Sequence, residues 1–178
     1  SMANSWQNPI NCLINNNKID YFRGVGIEIG YSRPITINIE NNKIFDNDVL
    51  IDGPIRYGIW LNNQGNTEIL LTGSRIFNNE IRSRSILPGG NFRGIAIEMA
   101  SYLTIEQNSI VDNLAQTSLQ RFYGIQTFQN PCNGLRILYN SINGAKIDYA
   151  EAYGVHLSES LNSILTCNST DKTNVGML

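Results

Sequence analysis

The fold is decided by a stretch that reads Ile35-Thr36-Ile37-Asn38-Ile39-Glu40-Asn41-Asn42-Lys43-Ile44-Phe45. Isoleucine alternates with polar residues from Ile35 to Ile39, and this period of two predicts a strand with one buried face. A second apolar segment starts at Ile44, after a turn that contains Asn42. The stretch therefore predicts two short strands joined by a tight turn with an asparagine in it.

The turn recurs along the chain as the unit apolar-x-x-Asn-x-Ile, and a second unit alternates with it. That second unit is an aromatic residue or Arg, then Gly, then alternating apolar residues. Its glycines, 30 to 36 residues apart, are Gly24, Gly58, Gly94, Gly124 and Gly154. The turn positions are Asn17, Asn42, Ser74, Asn108, Asn140 and Asn168. Repeats of 30 to 36 residues, each with about three short strands, predict an all-β solenoid.

The composition agrees with a folded all-β protein and argues against several other classes of protein. The 178 residues include 25 Asn and 25 Ile, with 42% hydrophobic and 16% charged residues and a net charge of −2. That apolar content excludes a disordered chain. The absence of a basic excess argues against a nucleic-acid partner. No apolar run approaches the ~20 residues of a membrane-spanning helix, so no membrane span is predicted.

The pattern resembles the right-handed parallel β-helix of the pectate-lyase-like superfamily, from residue 10 to residue 170. The resemblance implies a single-stranded solenoid of about five to six coils and one domain over residues 1–178. It also implies that the six turn positions form an inward asparagine ladder, with Ser74 as the substitute in one coil. A buried turn leaves backbone groups without partners, and an amide side chain can donate and accept at once.

In enzymes that resemble this fold, a groove over the Gly strands holds a polysaccharide, so we expect a polysaccharide or glycan partner. Aromatic rings stack on sugar faces, and polar or charged groups bind hydroxyls or uronates. The candidate substrate-binding residues on outward positions are Arg23, Tyr57, Trp60, Asn62, Arg93, Tyr123, Phe128 and Tyr153. The alternative is that the tyrosine column is an aromatic stack that stabilises the sheet.

Three residues are candidates for acid or base catalysis: Glu28, Glu98 and His156. Aligning the glycines puts the backbones of Glu28 and Glu98 two coils, ~9.6 Å, apart. Inverting glycosidases place their carboxyls ~6.5–9.5 Å apart. An enzyme of this kind would be a polysaccharide lyase or glycoside hydrolase, but the standard signatures of β-helical polygalacturonases and pectate lyases are absent. Solvated surface acids are the alternative, and catalysis stays open.

No cofactor and no metal site is predicted. The three cysteines are odd in number and lack zinc-site spacing, and a single histidine excludes a multi-histidine site. Calcium is an alternative at the turn residues Asp46, Asn78 and Asp112, although Asp and Asn are ordinary in turns.

The second function hypothesis is a structural or adhesive solenoid segment of a larger cell-surface or phage-tail protein. Neither end shows an amphipathic capping helix, and solenoids need covered ends. We therefore expect a piece of a longer chain, an oligomer, or neighbouring coils at an end. Ser1-Met2 is typical of a cloning remnant. No signal peptide is visible, and the expected location is extracellular or at the cell surface.

Overall fold

The computed structural model describes residues 10–22, 24–31, 35–46, 55–63, 68–83, 91–112, 121–128, 131–144, 151–173 and 175–177. Those residues form strands and no helix, and none of them lies in a helix able to cross a membrane. The strands are β1 (Ile10–Asn15), β2 (Lys18–Asp20), β3 (Val25–Tyr31), β4 (Ile35–Glu40), β5 (Lys43–Asp46), β6 (Ile55–Asn63), β7 (Ile69–Leu70), β8 (Arg75–Phe77), β9 (Glu80–Ser83), β10 (Asn91–Glu98), β11 (Ala100–Ser101), β12 (Thr104–Glu106), β13 (Ser109–Asp112), β14 (Arg121–Phe128), β15 (Arg136–Leu138), β16 (Ser141–Asn143), β17 (Glu151–His156), β18 (Ile164–Thr166), β19 (Ser169–Asp171) and β20 (Val175–Met177).

The strands are distributed in turn over three six-stranded parallel sheets. Sheet 1 is β1-β4-β8-β12-β15-β18, sheet 2 is β2-β5-β9-β13-β16-β19, and sheet 3 is β3-β6-β10-β14-β17-β20. A small parallel pair, β7 and β11, stands beside them. Each repeat thus adds one strand to every sheet, and the stacked parallel strands fit a solenoid. The prediction of an all-β chain of stacked parallel strands is confirmed.

Isoleucine columns that run across the sheets build the core. In sheet 1 one column is Ile14, Ile39, Ile76, Ile105, Ile137 and Leu165. In sheet 2 the column is Ile19, Ile44, Ile81, Ile110, Ile142 and Thr170. The inner members of both columns are 0 to 1% exposed. Burying β-branched side chains on successive strands is the main stabilising contribution of the fold.

A hydrogen-bonded asparagine ladder runs along the turns between sheet 1 and sheet 2. The backbone N–H and Nδ2 of Asn42 both donate to Asn79 Oδ1, at 3.0 Å each. The backbone N–H and Nδ2 of Asn79 donate to Asn108 Oδ1 in the same way. The full ladder is Asn17, Asn42, Asn79, Asn108, Asn140 and Asn168.

Ser74 therefore does not occupy a ladder position, and its sequence assignment was wrong. Ser74 lies just before β8, where its Oγ accepts from the backbone N–H of Ile37 at 2.9 Å. Asn79 holds the rung because it follows Ile76 by three residues and precedes Ile81 by two, which also matches the turn unit. Asn79 Nδ2 donates to both Ile39 O and Asn108 Oδ1 while Oδ1 accepts two bonds, and a serine hydroxyl has only one proton to donate.

The glycine column of sheet 3 starts at Gly26 rather than at Gly24. A Cβ on Gly26 would lie 2.5 Å from Ile44 Cγ2 and 2.7 Å from the carbonyl oxygen of Gly58. An added Cβ would make the same two contacts at the other glycines of the column. It would meet a side chain of the sheet 2 column and the carbonyl oxygen of the glycine on the next strand at Gly58, Gly94, Gly124 and Gly154. The first repeat is therefore offset by two residues from the alignment that the sequence suggested. As a result, Glu28 is aligned with Trp60 and not with Asn62.

Candidate functional site

The outward face of sheet 3 carries a row of aromatic and cationic side chains. Tyr57, Arg93, Tyr123 and Tyr153 are aligned on β6, β10, β14 and β17. These four residues were predicted to share a column. Arg23, the fifth member of the predicted column, lies outside the described residues.

The row is stacked continuously across the strands. Tyr57 and Trp60 stack with ring centroids 4.7 Å apart, and Tyr123 and Tyr153 with centroids 5.4 Å apart. The Arg93 guanidinium lies between the two pairs, with Cζ 5.3 Å from the Tyr57 centroid and 5.8 Å from the Tyr123 centroid. It also covers Phe128 at 4.8 Å and donates from Nη1 to the Tyr57 hydroxyl at 2.9 Å. These cation–π and ring contacts stabilise the sheet.

A second outward row contains Glu28, Trp60, Ala96, Gln126 and His156. Glu28 is exposed and accepts from Asn62 Nδ2 at 2.9 Å. Trp60 and Asn62 are half-buried, and both lie on β6 beside β3. A half-exposed ring and a hydrogen-bonded polar pair thus stand side by side.

Glu28 and Glu98 do not have the separation that sequence suggested. Glu98 is aligned with Phe128, whereas Glu28 is aligned with Trp60. The two acids are therefore two strands and two residues apart, which places their backbones about 12 Å from each other. The two-residue offset of the first repeat is the physical reason for the difference.

Glu98 is buried, with only 4% of its surface exposed. Its Oε1 accepts from Trp60 Nε1 at 3.1 Å. Burial raises the pKa of this carboxyl, and the neighbouring Glu28 charge raises it further, while the Trp60 hydrogen bond and the Arg93 charge oppose the rise. Glu98 is thus placed to orient the Trp60 ring, not to meet a ligand in solvent.

His156 lies at the other end of the second row, on β17. Its ring centroid is 4.8 Å from that of Tyr153, and its Nδ1 is 3.2 Å from Gln126 Nε2. Burial lowers the pKa of His156, and the Glu151 charge partly opposes this shift. Four strand spacings separate His156 from Glu28, roughly 19 Å. The three acid and base candidates do not converge on one point.

Sequence reasoning missed Glu151, which pairs with the aromatic row. Its Oε2 accepts from the Tyr123 hydroxyl at 2.6 Å and lies 3.3 Å from Arg121 Nε. Burial and this hydrogen bond raise the pKa of Tyr123 to about 12. The alternation of β17 carried the signal, since Glu151 stands two residues before Tyr153 and so shares its face.

The described residues contain no group of three or more His, Cys, Asp or Glu placed to hold a metal ion. Asp46 is buried in an ion pair with Arg56, at 2.7 Å. Asp46 aligns with Ser83 and Asp112, whereas Asn78 donates to Asn41 Oδ1 at another turn. The three proposed calcium ligands are therefore not equivalent positions. All three cysteines are free.

No family model, curated protein or solved structure matches the chain.

Proposed function

We propose that the chain is a right-handed parallel β-helix of the pectate-lyase-like kind, and that the outward face of sheet 3 binds a glycan outside the cell or at its surface. The observation that carries this proposal is the juxtaposition of the half-exposed Trp60 ring with the Glu28–Asn62 pair. Sugars offer an apolar face and a rim of hydroxyls, and protein sites for them combine a ring with polar groups.

The Trp60 ring is held before any ligand arrives. Tyr57 stacks on it with the ring planes 11° apart, and Glu98 accepts from its Nε1. Tyr57 precedes Trp60 on β6 and Asn62 follows it, so Asn62 lies on the side of Trp60 away from Tyr57 along the strand. A pre-ordered ring loses little side-chain entropy on binding, which favours affinity.

The polar pair supplies hydrogen bonds of both kinds. The Glu28 carboxylate accepts only, and the amide of Asn62 both donates and accepts. Glu28 is exposed, so a ligand on the Trp60 ring can reach its carboxylate oxygens. The pair therefore complements the hydroxyls of a sugar ring that lies on the indole.

Binding without cleavage is the function we propose for this face. The burial of Glu98 and the wide separation of Glu28 from His156 support this choice. A typical glycosidase places two carboxyls on either side of one bond, and of the two beside Trp60, Glu98 is buried and bonded to the indole.

The test is a panel of soluble polysaccharides and oligosaccharides, followed by calorimetry on the ligands that bind. Trp60→Ala should weaken binding by about tenfold or more, because it removes the stacking platform. Phe77→Ala is the matched control, since Phe77 is a half-buried ring beside an arginine on sheet 1. No glycan bound by the wild type, or equal affinity in Trp60→Ala, would overturn the proposal.

A structural or adhesive solenoid segment is the second candidate. The observation that favours it is the continuous stack from Tyr57 through Arg93 to Tyr123 and Tyr153. In this stack the side chains contact one another through cation–π and ring-stacking interactions. On this account, Arg93→Ala lowers the free energy of unfolding while the wild type binds no glycan. The same binding panel separates the two candidates.

A further inference from the structure

We infer that the glycan bound beside Trp60 is uncharged, and is not a polymer of uronic acids. This inference rests on the proposed function and adds the ligand class. It is carried by the charges around the indole, where an exposed carboxylate stands next to the ring. The nearby described cations are enclosed by aromatic rings or paired with a carboxylate.

Glu28 is a charged group on the strand next to the Trp60 ring. It is exposed and aligned with Trp60 on the neighbouring strand. Its partner is the uncharged amide of Asn62, and within the described ranges no Lys or Arg forms an ion pair with it. Among the described residues, no cation therefore contacts the carboxylate of Glu28.

Arg93 is a described cation on the strand next to Trp60, and aromatic rings enclose its guanidinium. Nη1 donates to the Tyr57 hydroxyl, and Nε is buried without a hydrogen-bond partner. The Tyr57, Tyr123 and Phe128 rings surround the guanidinium at centroid distances of 4.8 to 5.8 Å. A ligand carboxylate would have to displace these contacts to pair with Arg93.

The next described cation on this face, Arg121, pairs with Glu151 at 3.3 Å. Arg121 lies on β14, two strands from Trp60 on β6. It is therefore distant from the indole and already compensated by a carboxylate. Next to the Trp60 ring the described part of the face offers Arg93, whose guanidinium is enclosed by three aromatic rings.

A sugar ring on Trp60 would bring its substituents close to the Glu28 carboxylate. A hydroxyl donates to that carboxylate in a charge-assisted hydrogen bond. A uronate carboxylate cannot donate and is repelled by the like charge. The site therefore discriminates in favour of neutral, hydroxyl-rich sugars.

The test compares a neutral oligosaccharide with its uronic-acid counterpart of equal length and linkage, by calorimetry on the intact chain. The wild type should bind the neutral ligand about tenfold more tightly. Glu28→Gln should narrow that ratio to about twofold by improving uronate binding, because it removes the repulsion. Raising salt from about 0.05 M to about 0.5 M should also improve uronate binding to the wild type.

Glu106→Gln is the matched control, because Glu106 is a carboxylate on sheet 1, and it should leave the ratio unchanged. Tighter binding of the uronate ligand by the wild type would overturn the inference and leave glycan binding intact. A ratio unaffected by Glu28→Gln would also overturn it. No binding of either ligand, by the wild type or by Glu28→Gln, would instead overturn the proposed function.

Discussion

The Nε1 of Trp60 donates to Oε1 of Glu98 over 3.1 Å, from β6 to the neighbouring strand β10. The acceptor is buried and the donor ring is half-exposed. The bond therefore fixes a half-buried ring at its Nε1 edge, while the Tyr57 ring stacks on one of its faces. This contact gives Glu98 a positioning role and leaves Glu28 as the carboxylate that a ligand can reach.

The raised pKa of Glu98 predicts a pH-dependent stability difference between the wild type and Glu98→Gln. The folded state holds this proton more tightly than the unfolded state, whose carboxyl titrates near 4.5. The resulting stabilisation is fully present below that value and is lost as pH rises through the raised pKa. The free energy of unfolding of Glu98→Gln should thus rise relative to the wild type across this window, measured by urea denaturation at a series of pH values.

Trp60→Phe serves as a control for this pH dependence. It removes the hydrogen bond that stabilises the charged carboxyl, so the pKa of Glu98 should rise and the window should move to higher pH. If the difference in free energy of unfolding between the wild type and Glu98→Gln stays constant from about pH 4 to about pH 8, the raised pKa of Glu98 is contradicted.

Tyr123 is expected to ionise later than an ordinary tyrosine. Burial and the Glu151 acceptor raise its pKa to about 12, so the stability it contributes is present below 10.0 and lost as pH rises through about 12. The phenolate absorbance of the wild type minus that of Tyr123→Phe should show this transition. Glu151→Gln should lower the pKa, because it removes the nearby negative charge. A transition near 10 in the wild type would refute the prediction.

The ladder assignment predicts unequal effects for two substitutions in one repeat. Asn79 accepts two hydrogen bonds and donates to Ile39 O and Asn108 Oδ1, whereas Ser74 Oγ accepts one. Asn79→Ala should lower the free energy of unfolding by about 3 kcal/mol, and Ser74→Ala by about 1 kcal/mol. Urea denaturation measures both. Equal losses, or a larger loss for Ser74→Ala, would contradict the ladder.

The glycine column predicts a steric effect that depends on position. A Cβ on Gly124 would lie 2.5 Å from Ile142 Cγ2 and from the carbonyl oxygen of Gly154. Gly124→Ala should therefore destabilise the protein by about 3 kcal/mol or more, since backbone as well as side chain must move. Gly73→Ala is the control, where φ is +80° with open space around Cβ, and about 1 kcal/mol is expected. Equal effects in thermal or urea unfolding would contradict the packing.

The strand pattern and most of the ladder could be predicted from sequence, because alternation and turn asparagines are local signals. The ladder position in the repeat with Ser74 could not be predicted, since two overlapping segments match the turn unit, one centred on Ser74 and one on Asn79. The hydrogen bonds of Asn79 with Asn42 and Asn108 identify Asn79 as the ladder residue. The choice between Gly24 and Gly26 is similar, because only contact with Ile44 identifies the packed glycine.

The site residues were predicted one by one, but their contacts were not. The bond from Trp60 to Glu98 joins positions that differ by two residues in register, and side-chain reach decides whether it forms. Alternation alone predicts Glu98 as an outward acid, whereas it is buried and bonded to Trp60 from the neighbouring strand. These non-local contacts are what assign Glu98 a positioning role and not a catalytic one.

The most direct test of glycan recognition is an NMR titration of the wild type with a neutral oligosaccharide that it binds. The Trp60 Nε1–H resonance, assigned by its loss in Trp60→Phe, should shift saturably together with the side-chain amide of Asn62. Resonances of Phe77 and its neighbours on sheet 1 should stay in place. Saturable binding that leaves Trp60 and Asn62 unperturbed would contradict the account.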